Sequence, residues 1–279
     1  MVLTDDNFST IIKAVELGRG LYDNLARYIR FEMGCMFGFI ITFLGASIFD
    51  IAHGEPLLPL QVLWVAFTTV TIQSIGLGYS RPAEGLMERK PQSPSQPILS
   101  RGVISWLVLV GLVMAVGTLG LVSWTEQAHS LTTARTMGVV VFSLFNLFFS
   151  IETKDERESA FSLSTFADRT FIVTTGVSFL LVLVSTLPGV FQAVLKTTLL
   201  NDKQWLLCVA IALSIIAVSE IRKAVLRRTG AIRLLSDYGH PRSFREGPWP
   251  VDDSPASGRG PGPPAPVRRR GRRRLPGGR

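Results

Sequence analysis

The stretch Leu57–Pro91, LLPLQVLWVAFTTVTIQSIGLGYSRPAEGLMERKP, decides the fold of this chain. Its first part, Leu57 to Tyr79, contains no charged side chain. At a rise of about 1.5 Å per residue, a helix of that length crosses the roughly 30 Å of hydrocarbon in a bilayer. The stretch therefore predicts a membrane-spanning helix.

Polar side chains occupy the middle of this predicted span. They are Thr68, Thr69, Thr71, Gln73 and Ser74. Polar groups are costly in hydrocarbon unless they find partners or line a pathway. At helical spacing, Ala66, Thr69, Val70 and Gln73 fall on one face, which is where we look for function. The competing interpretation is hydrogen bonding between helices, and the span alone leaves both open.

Long apolar runs lie on both sides of this span and set the class of protein. The chain has 279 residues, of which 47% are hydrophobic, and its mean hydropathy is +0.33. Uninterrupted apolar runs of bilayer length predict membrane spans rather than a soluble core. We predict an all-α membrane protein, a bundle of six transmembrane helices preceded by a short cytoplasmic helical segment. The six spans fall near 31–52, 57–79, 103–124, 134–151, 170–192 and 204–221.

The loops between these spans alternate in basic charge. Loop 51–58 has no Lys or Arg and loop 125–135 has only Arg135, whereas loops 80–101 and 152–169 have several basic residues each. By the positive-inside rule, the basic loops and both termini are cytoplasmic. We predict an integral membrane protein, placed in the cell membrane.

The composition changes after Arg228. Residues 229–279 are rich in Pro, Gly and Arg and poor in aliphatic side chains, so this tail is predicted to be disordered. Its RRRGRRR run suits anionic lipid headgroups, and on charge alone it also suits nucleic acid. We favour a third reading, a solvated tail or the product of an altered reading frame, and expect no nucleic-acid partner.

Three segments resemble one family of membrane proteins. The opening MVLTDDNFSTIIKAVELGRGLYDNLARYIRF, the segment LPLQVLWV and the closing IGLGYSRPAEGLMERKP are similar to the C-terminal part of cation-transporting P-type ATPases of the calcium-pump-like class. The likeness covers about residues 1–228. It implies that residues 1–26 are the end of a cytoplasmic phosphorylation domain and its stalk. Residues 27–228 would then be a transport domain that holds the fifth to tenth membrane helices.

Other signatures of that family do not occur in this sequence. Its members use an aspartyl-phosphate in DKTGT, dephosphorylate with TGES and hold magnesium with TGDGVNDAP, and none of these strings is present. Phosphoryl transfer needs a nucleophile, a metal and a nucleotide cradle. Asp5 and Asp6 are interpreted as helix caps. We predict no catalytic residue and no cofactor in this chain, and we expect ATP and Mg²⁺ only for a complete pump. Whether this chain is an enzyme is left open.

The family's cation ligands are also largely replaced. The resemblance aligns the ligand positions with Met36, Phe39, Ala66, Thr69 and Val70. Only the threonine keeps an oxygen, and calcium prefers six to eight oxygens that include carboxylates. The sequence therefore argues against a calcium-pump-like site and leaves neutral oxygens for a less demanding cation.

Other polar residues within the predicted spans complete the candidate path. Asn146 lies in the middle of the fourth predicted span, and together with Thr69 and Gln73 it forms our predicted cation path. Glu32 is a functional candidate by its position in a span, or else a side chain that extends toward Arg30 or Arg81 at the membrane edge.

Small and sulfur-containing residues in the spans are interpreted as packing residues. Gly34 and Gly38 form a small-xxx-small pair that predicts close helix contact. Cys35 and Cys208 lie in apolar runs, and free cysteines are commonly buried.

Two hypotheses about function follow. In the first, the chain is the C-terminal transmembrane transport module of a cation-transporting P-type ATPase, and its partners are the lipid bilayer, a metal cation and the remaining ATPase portion or another pump subunit. In the second, it is a non-catalytic six-helix remnant or an accessory protein of an intact pump. They differ in whether the missing cytoplasmic domains are supplied from elsewhere, because a transport module alone has no energy source.

Overall fold

The structure is a computed structural model, and it describes residues 8–80, 87, 98–154 and 168–228. The predicted helix caps Asp5 and Asp6 and the predicted disordered tail 229–279 lie outside the described residues. The division of the chain at residues 26 and 228 stays a prediction.

The first helix, α1, is Phe8–Ile48 and joins the predicted cytoplasmic segment to the first span without a break. The predicted span 31–52 extends four residues too far at its C-terminal end. Asp50, Ala52 and His53 have left-handed backbone angles with φ between 51° and 59°, which no right-handed α-helix accommodates. A 3₁₀ turn at Ile51–Gly54 takes the place of the last predicted turn.

The second span consists of three helical segments in series. Helix α2 is Pro59–Val65, a π-helical segment covers Ala66–Thr71, and α3 is Ile72–Gly78. Proline suits the first position of α2 because the backbone N–H that it lacks would have no partner there. The span therefore begins and ends within two residues of its predicted bounds, but it contains a π segment that the sequence pattern did not reveal.

Helices α4, Arg101–Ala128, and α5, Leu131–Lys154, form the third and fourth spans. The Ser100 hydroxyl caps α4 by accepting a hydrogen bond from the Val103 N–H at 3.4 Å. Helix α5 is central in the bundle, since almost all of its side chains from Thr136 to Lys154 are buried, including Phe142 and Asn146. A helix that is buried all round must satisfy its polar side chains within the protein.

The fifth predicted span is divided, whereas the sixth is a single helical stretch of membrane length, Asp202–Val225, in which only the hydrogen-bond pattern changes at Leu213. The predicted span 170–192 is the helix α6, Arg169–Val184, followed after a turn by the short helix α7, Val190–Leu195. Proline at 188 cannot donate a backbone hydrogen bond, and Gly189 has a φ of 130°, so α6 does not continue. The predicted span 204–221 is α8, Asp202–Ala212, and α9, Ser214–Arg228.

Glycines allow α1 to approach its neighbours closely. A Cβ atom built on Gly38 would lie 2.7 Å from the Met114 sulfur of α4, and one on Gly111 would lie 2.8 Å from the Phe37 backbone of α1. A Cβ on Gly34 would meet the ring of Phe149 on α5. The predicted small-xxx-small contact is therefore confirmed, with α4 and α5 as its partners.

The described residues form helices and turns and contain no strand. Within the part of the chain that the structure describes, five helical stretches are long and apolar enough to cross a membrane, and α6 is a shorter apolar helix. Large apolar side chains remain on the outside, as on α6, where Leu180 is 58% exposed. These features confirm the predicted all-α membrane fold.

Candidate cation path

The site begins with the π segment of the second span. The Thr68 and Thr69 hydroxyls donate to the backbone carbonyls of Trp64 and Val65, each at 2.7 Å. The wider π turn places three consecutive residues, Thr68 to Val70, in the interior. Single-turn π segments of this kind are frequent at functional sites.

The structure brings the three predicted path residues together. Asn146 on α5 donates from Nδ2 to Oγ1 of Thr69 at 3.1 Å. Gln73 lies one turn beyond Thr69, and its Oε1 lies 3.0 Å from the Ser150 hydroxyl, one turn beyond Asn146. Thr69, Gln73, Asn146 and Ser150 each have 0% exposure. We refer to these four residues and Thr175 as the polar cluster.

Two members of the polar cluster were not predicted. Ser150 lies four residues after Asn146 on the same helix, so its position at i+4 was a signal that the sequence offered. Thr175 is on α6, and its hydroxyl approaches Gln73 Oε1 at 3.2 Å. The sequence of α6 does not single out Thr175, because α6 has polar residues on several faces. Only the packing of α6 against α3 shows which face lies in the interior.

Several polar atoms around the polar cluster have no hydrogen-bond partner. Asn146 Oδ1, Gln73 Nε2 and the Ser143 hydroxyl oxygen are all buried and unpaired. Leaving such a group buried without a partner costs about 1–3 kcal/mol. Both predicted amide side chains therefore make only part of the hydrogen bonds that they are able to make.

Glu32 contacts the second span. Its Oε1 accepts a hydrogen bond from the Ser74 hydroxyl. Arg81, a partner proposed from the sequence, lies outside the described residues. Ser74 follows Gln73 directly, so Glu32 contacts the span that carries the polar cluster without belonging to the cluster.

Ion pairs gather at the C-terminal end of α5. Glu152 pairs with Lys223 of α9, and Lys154 pairs with Asp168 at 2.9 Å. Lys154 also lies over the Phe171 ring, 4.3 Å from its centroid. The side chains of both pairs are less than 10% exposed. We refer to these four charged residues as the ion-pair end of α5.

The described chain contains no metal site built from His, Cys, Asp or Glu. Among residues 8–80, 87, 98–154 and 168–228, no group of three such side chains is placed to hold a metal ion. Cys35 and Cys208 are buried free thiols, in agreement with their interpretation as packing residues.

A bundle of apolar helices that encloses polar side chains around a π turn defines a polytopic membrane protein with a polar site inside the bilayer. A family model described as "Cation transporting ATPase, C-terminus" matches residues 54–225. The chain belongs to this family of cation-transporting ATPases, and the matched region is its C-terminal membrane domain.

Curated relatives agree with this family. The chain is 29% identical over 240 residues to Calcium-transporting ATPase 1 of Schizosaccharomyces pombe, a match that covers 85% of this chain and 26% of the relative. It is 30% identical over 219 residues to Probable cation-transporting ATPase F of Mycobacterium bovis, covering 78% of this chain and 24% of the relative. The same figures hold for the protein of that name in Mycobacterium tuberculosis. The chain spans about a quarter of the length of these relatives.

Proposed function

We propose that this chain supplies the membrane part of an ATP-driven cation pump and that the cation path passes through Thr69, Gln73 and Asn146. The observation that carries the proposal is the polar cluster itself. Three helices contribute uncharged oxygens to one buried place beside a π turn, and two amide groups there keep unpaired atoms. Polar groups at such a depth in a bundle are typical of ion pathways.

Hydrogen bonding between helices does not by itself account for the polar cluster. A purely structural network gains stability when each buried donor and acceptor is paired. Here Asn146 makes one hydrogen bond to Thr69, and its other polar atom has no protein partner. An arrangement that binds an ion has a reason to leave an oxygen available, and Asn146 Oδ1 is such an oxygen beside Thr69 and Gln73.

The energy source would be ATP hydrolysis by protein parts that do not lie in this sequence. ATP and Mg²⁺ would act on the phosphorylation and nucleotide-binding parts that complete pumps of this family possess, and such a part, or another pump subunit, would be the protein partner of this chain. The support is the family membership together with the absence of the strings DKTGT, TGES and TGDGVNDAP from the sequence.

The proposed orientation places both termini in the cytoplasm of a cell membrane. Its support is the charge of the loops, because Lys and Arg are concentrated in loops 80–101 and 152–169 and are scarce in 51–58. A C-terminal epitope tag should be detected only after the cells are permeabilised. Detection of the tag on intact cells would contradict this orientation.

The transport proposal is tested with a chimera. Residues 1–228 of this chain replace the matching region of Calcium-transporting ATPase 1 from Schizosaccharomyces pombe, and ATP-dependent uptake of sodium, rubidium and calcium is measured in membrane vesicles. We expect uptake of at least one cation, and we expect Asn146→Leu to reduce it to the level of vesicles without the chimera. Thr125→Val is the matched control, since Thr125 is a buried threonine that bonds to Leu121 and Met137 away from the polar cluster.

The opposite result would favour the hypothesis of a non-transporting remnant. In that case the chimera would insert in the membrane and form the phosphoenzyme, but uptake would stay at background, or it would be the same with and without Asn146→Leu.

A further inference from the structure

A small cavity lies beside the ion-pair end of α5. Side chains from four helices line it, among them Arg30 of α1, Trp106 of α4, Glu152 of α5, and Arg222 and Lys223 of α9. The space that the centres of water molecules can occupy in it is about 40 Å³, which is room for about three water molecules or for one group of phosphate size. No member of the polar cluster lines this cavity, so it is a separate site.

The cavity lies at the level where the hydrophobic spans end. Arg30, Glu152 and Arg222 are each one position outside a predicted span, and all three are on the side of the bundle that we propose to be cytoplasmic. Trp106 lies at the same level, where tryptophan is enriched because its ring is amphipathic. Ile221, directly before Arg222, is 64% exposed. A lipid can therefore place its headgroup at the cavity and its acyl chains against the apolar surface of the helices.

Basic side chains outnumber acidic side chains at the cavity. Arg30, Arg222 and Lys223 are basic, Glu152 is acidic, and Glu220 lies 3.6 Å from Lys223. Three basic groups against two acidic groups leave one positive charge. Basic pockets between membrane helices at the cytoplasmic surface suit anionic lipid headgroups.

Arg222 is positioned by the ring of Trp106. Its guanidinium carbon lies 4.2 Å from the centroid of that ring, which is the geometry of a cation–π contact. A guanidinium has several N–H donors in one plane and binds phosphate with two of them at once. Arg222 can therefore stack on Trp106 and bind a phosphate at the same time.

The carboxylate of Glu152 adds a requirement for a hydrogen-bond donor. Its Oε1 pairs with Lys223. Its Oε2 is buried and accepts no hydrogen bond within the part of the chain that the structure describes. A buried charged oxygen without a donor is unfavourable. A hydroxyl or ammonium group of a bound headgroup would supply that donor.

We propose that this cavity binds the headgroup of an anionic phospholipid that also carries a hydrogen-bond donor, with the phosphate at Arg30 and Arg222 and the donor at Glu152 Oε2. Phosphatidylglycerol has this chemistry, because its phosphodiester is negative and its glycerol has free hydroxyls. Phosphatidylcholine has no net charge and no N–H or O–H donor. The lipid site does not depend on the proposed cation path.

The test counts the lipids that bind to the purified full chain by native mass spectrometry. The chain in detergent is titrated with phosphatidylglycerol, with phosphatidylcholine, and with phosphatidylethanol, which has the charge of phosphatidylglycerol but no donor. Inorganic phosphate is added as a competitor to distinguish a lipid site from a site for soluble phosphate. The variants are Arg222→Gln and, as the matched control, Arg169→Gln, which changes a basic residue at the start of α6 that does not line the cavity.

We expect one phosphatidylglycerol molecule to bind more tightly than phosphatidylethanol, and phosphatidylethanol more tightly than phosphatidylcholine. Arg222→Gln should weaken the binding of phosphatidylglycerol about tenfold, because a hydrogen bond to a charged group is lost. Arg169→Gln should leave it unchanged.

Three results would overturn parts or all of the proposal. Equal binding of phosphatidylglycerol and phosphatidylethanol would exclude the donor contact at Glu152. Equal binding of all three lipids, or equal weakening by both variants, would exclude a headgroup site at the cavity. Displacement of phosphatidylglycerol by inorganic phosphate at a similar concentration would show a site for soluble phosphate instead of a lipid.

Discussion

Helix α5 carries two polar regions less than three turns apart, and these regions differ in charge and in how fully their polar atoms are paired. At its C-terminal end, Glu152 and Lys154 are charged, buried and paired with Lys223 and Asp168. In its middle, Asn146 is uncharged and makes one hydrogen bond, to Thr69. The difference shows that the charged side chains buried at the end of α5 have partners of opposite charge, whereas the buried neutral oxygen Asn146 Oδ1 has no partner, as is also true of the Thr42 and Thr118 hydroxyls elsewhere in the described bundle.

The largest effect on the free energy of unfolding is expected from removing one partner of an ion pair at the ion-pair end of α5. Lys223→Met leaves Glu152 buried without its cation, which we expect to lower the free energy of unfolding by about 3–5 kcal/mol. Denaturant or thermal unfolding of the purified chain measures the loss. Combining Lys223→Met with Glu152→Gln should restore most of the stability, because no unpaired charge then remains. Equal stability of Lys223→Met and the wild-type chain would show that the pair is not buried as described.

A smaller effect on the free energy of unfolding is expected in the segment of α5 between the two polar regions. Gly34→Ala places a methyl group against the ring of Phe149, which lies on α5 between Asn146 and Glu152. Because the ring has to move, we expect a loss of about 1–3 kcal/mol, measured in the same unfolding experiment. Gly18→Ala is the matched control, since a Cβ atom there meets nothing within 4 Å. A loss at Gly18 as large as that at Gly34 would exclude the packing explanation.

The smallest effect on stability is expected from a substitution in the polar cluster. Asn146→Leu removes one hydrogen bond and also one unpaired buried oxygen, and these two changes largely cancel. We expect the free energy of unfolding to change by no more than about 1 kcal/mol. Thr71→Val, which changes an exposed residue of the same π segment, is the control variant. A loss of several kcal/mol in Asn146→Leu would mean that the polar cluster is a structural network.

Much of the candidate site followed from the sequence because its members interrupt apolar runs. Thr69, Gln73 and Asn146 are among the polar residues that interrupt the apolar spans, and the structure places all three in the interior. Thr175 could not be found in this way, since α6 has polar residues on several faces and its sequence does not say which face turns inward. The partner of Glu32 was missed for the same reason, because Ser74 lies 42 residues away in the sequence.

The sequence by itself determined that the chain is a helical membrane protein. Span length and uninterrupted hydrophobicity are local properties, so they locate the helices. The left-handed turn at Asp50–His53 shortened the first predicted span, and the break at Gly189 divided the fifth. The tertiary structure alone decided how the polar residues pair. Hydrogen bonds across the bundle join residues far apart in the sequence, 42 positions for Glu32 and Ser74 and 77 positions for Asn146 and Thr69. They depend on how the helices pack rather than on any pattern along one of them.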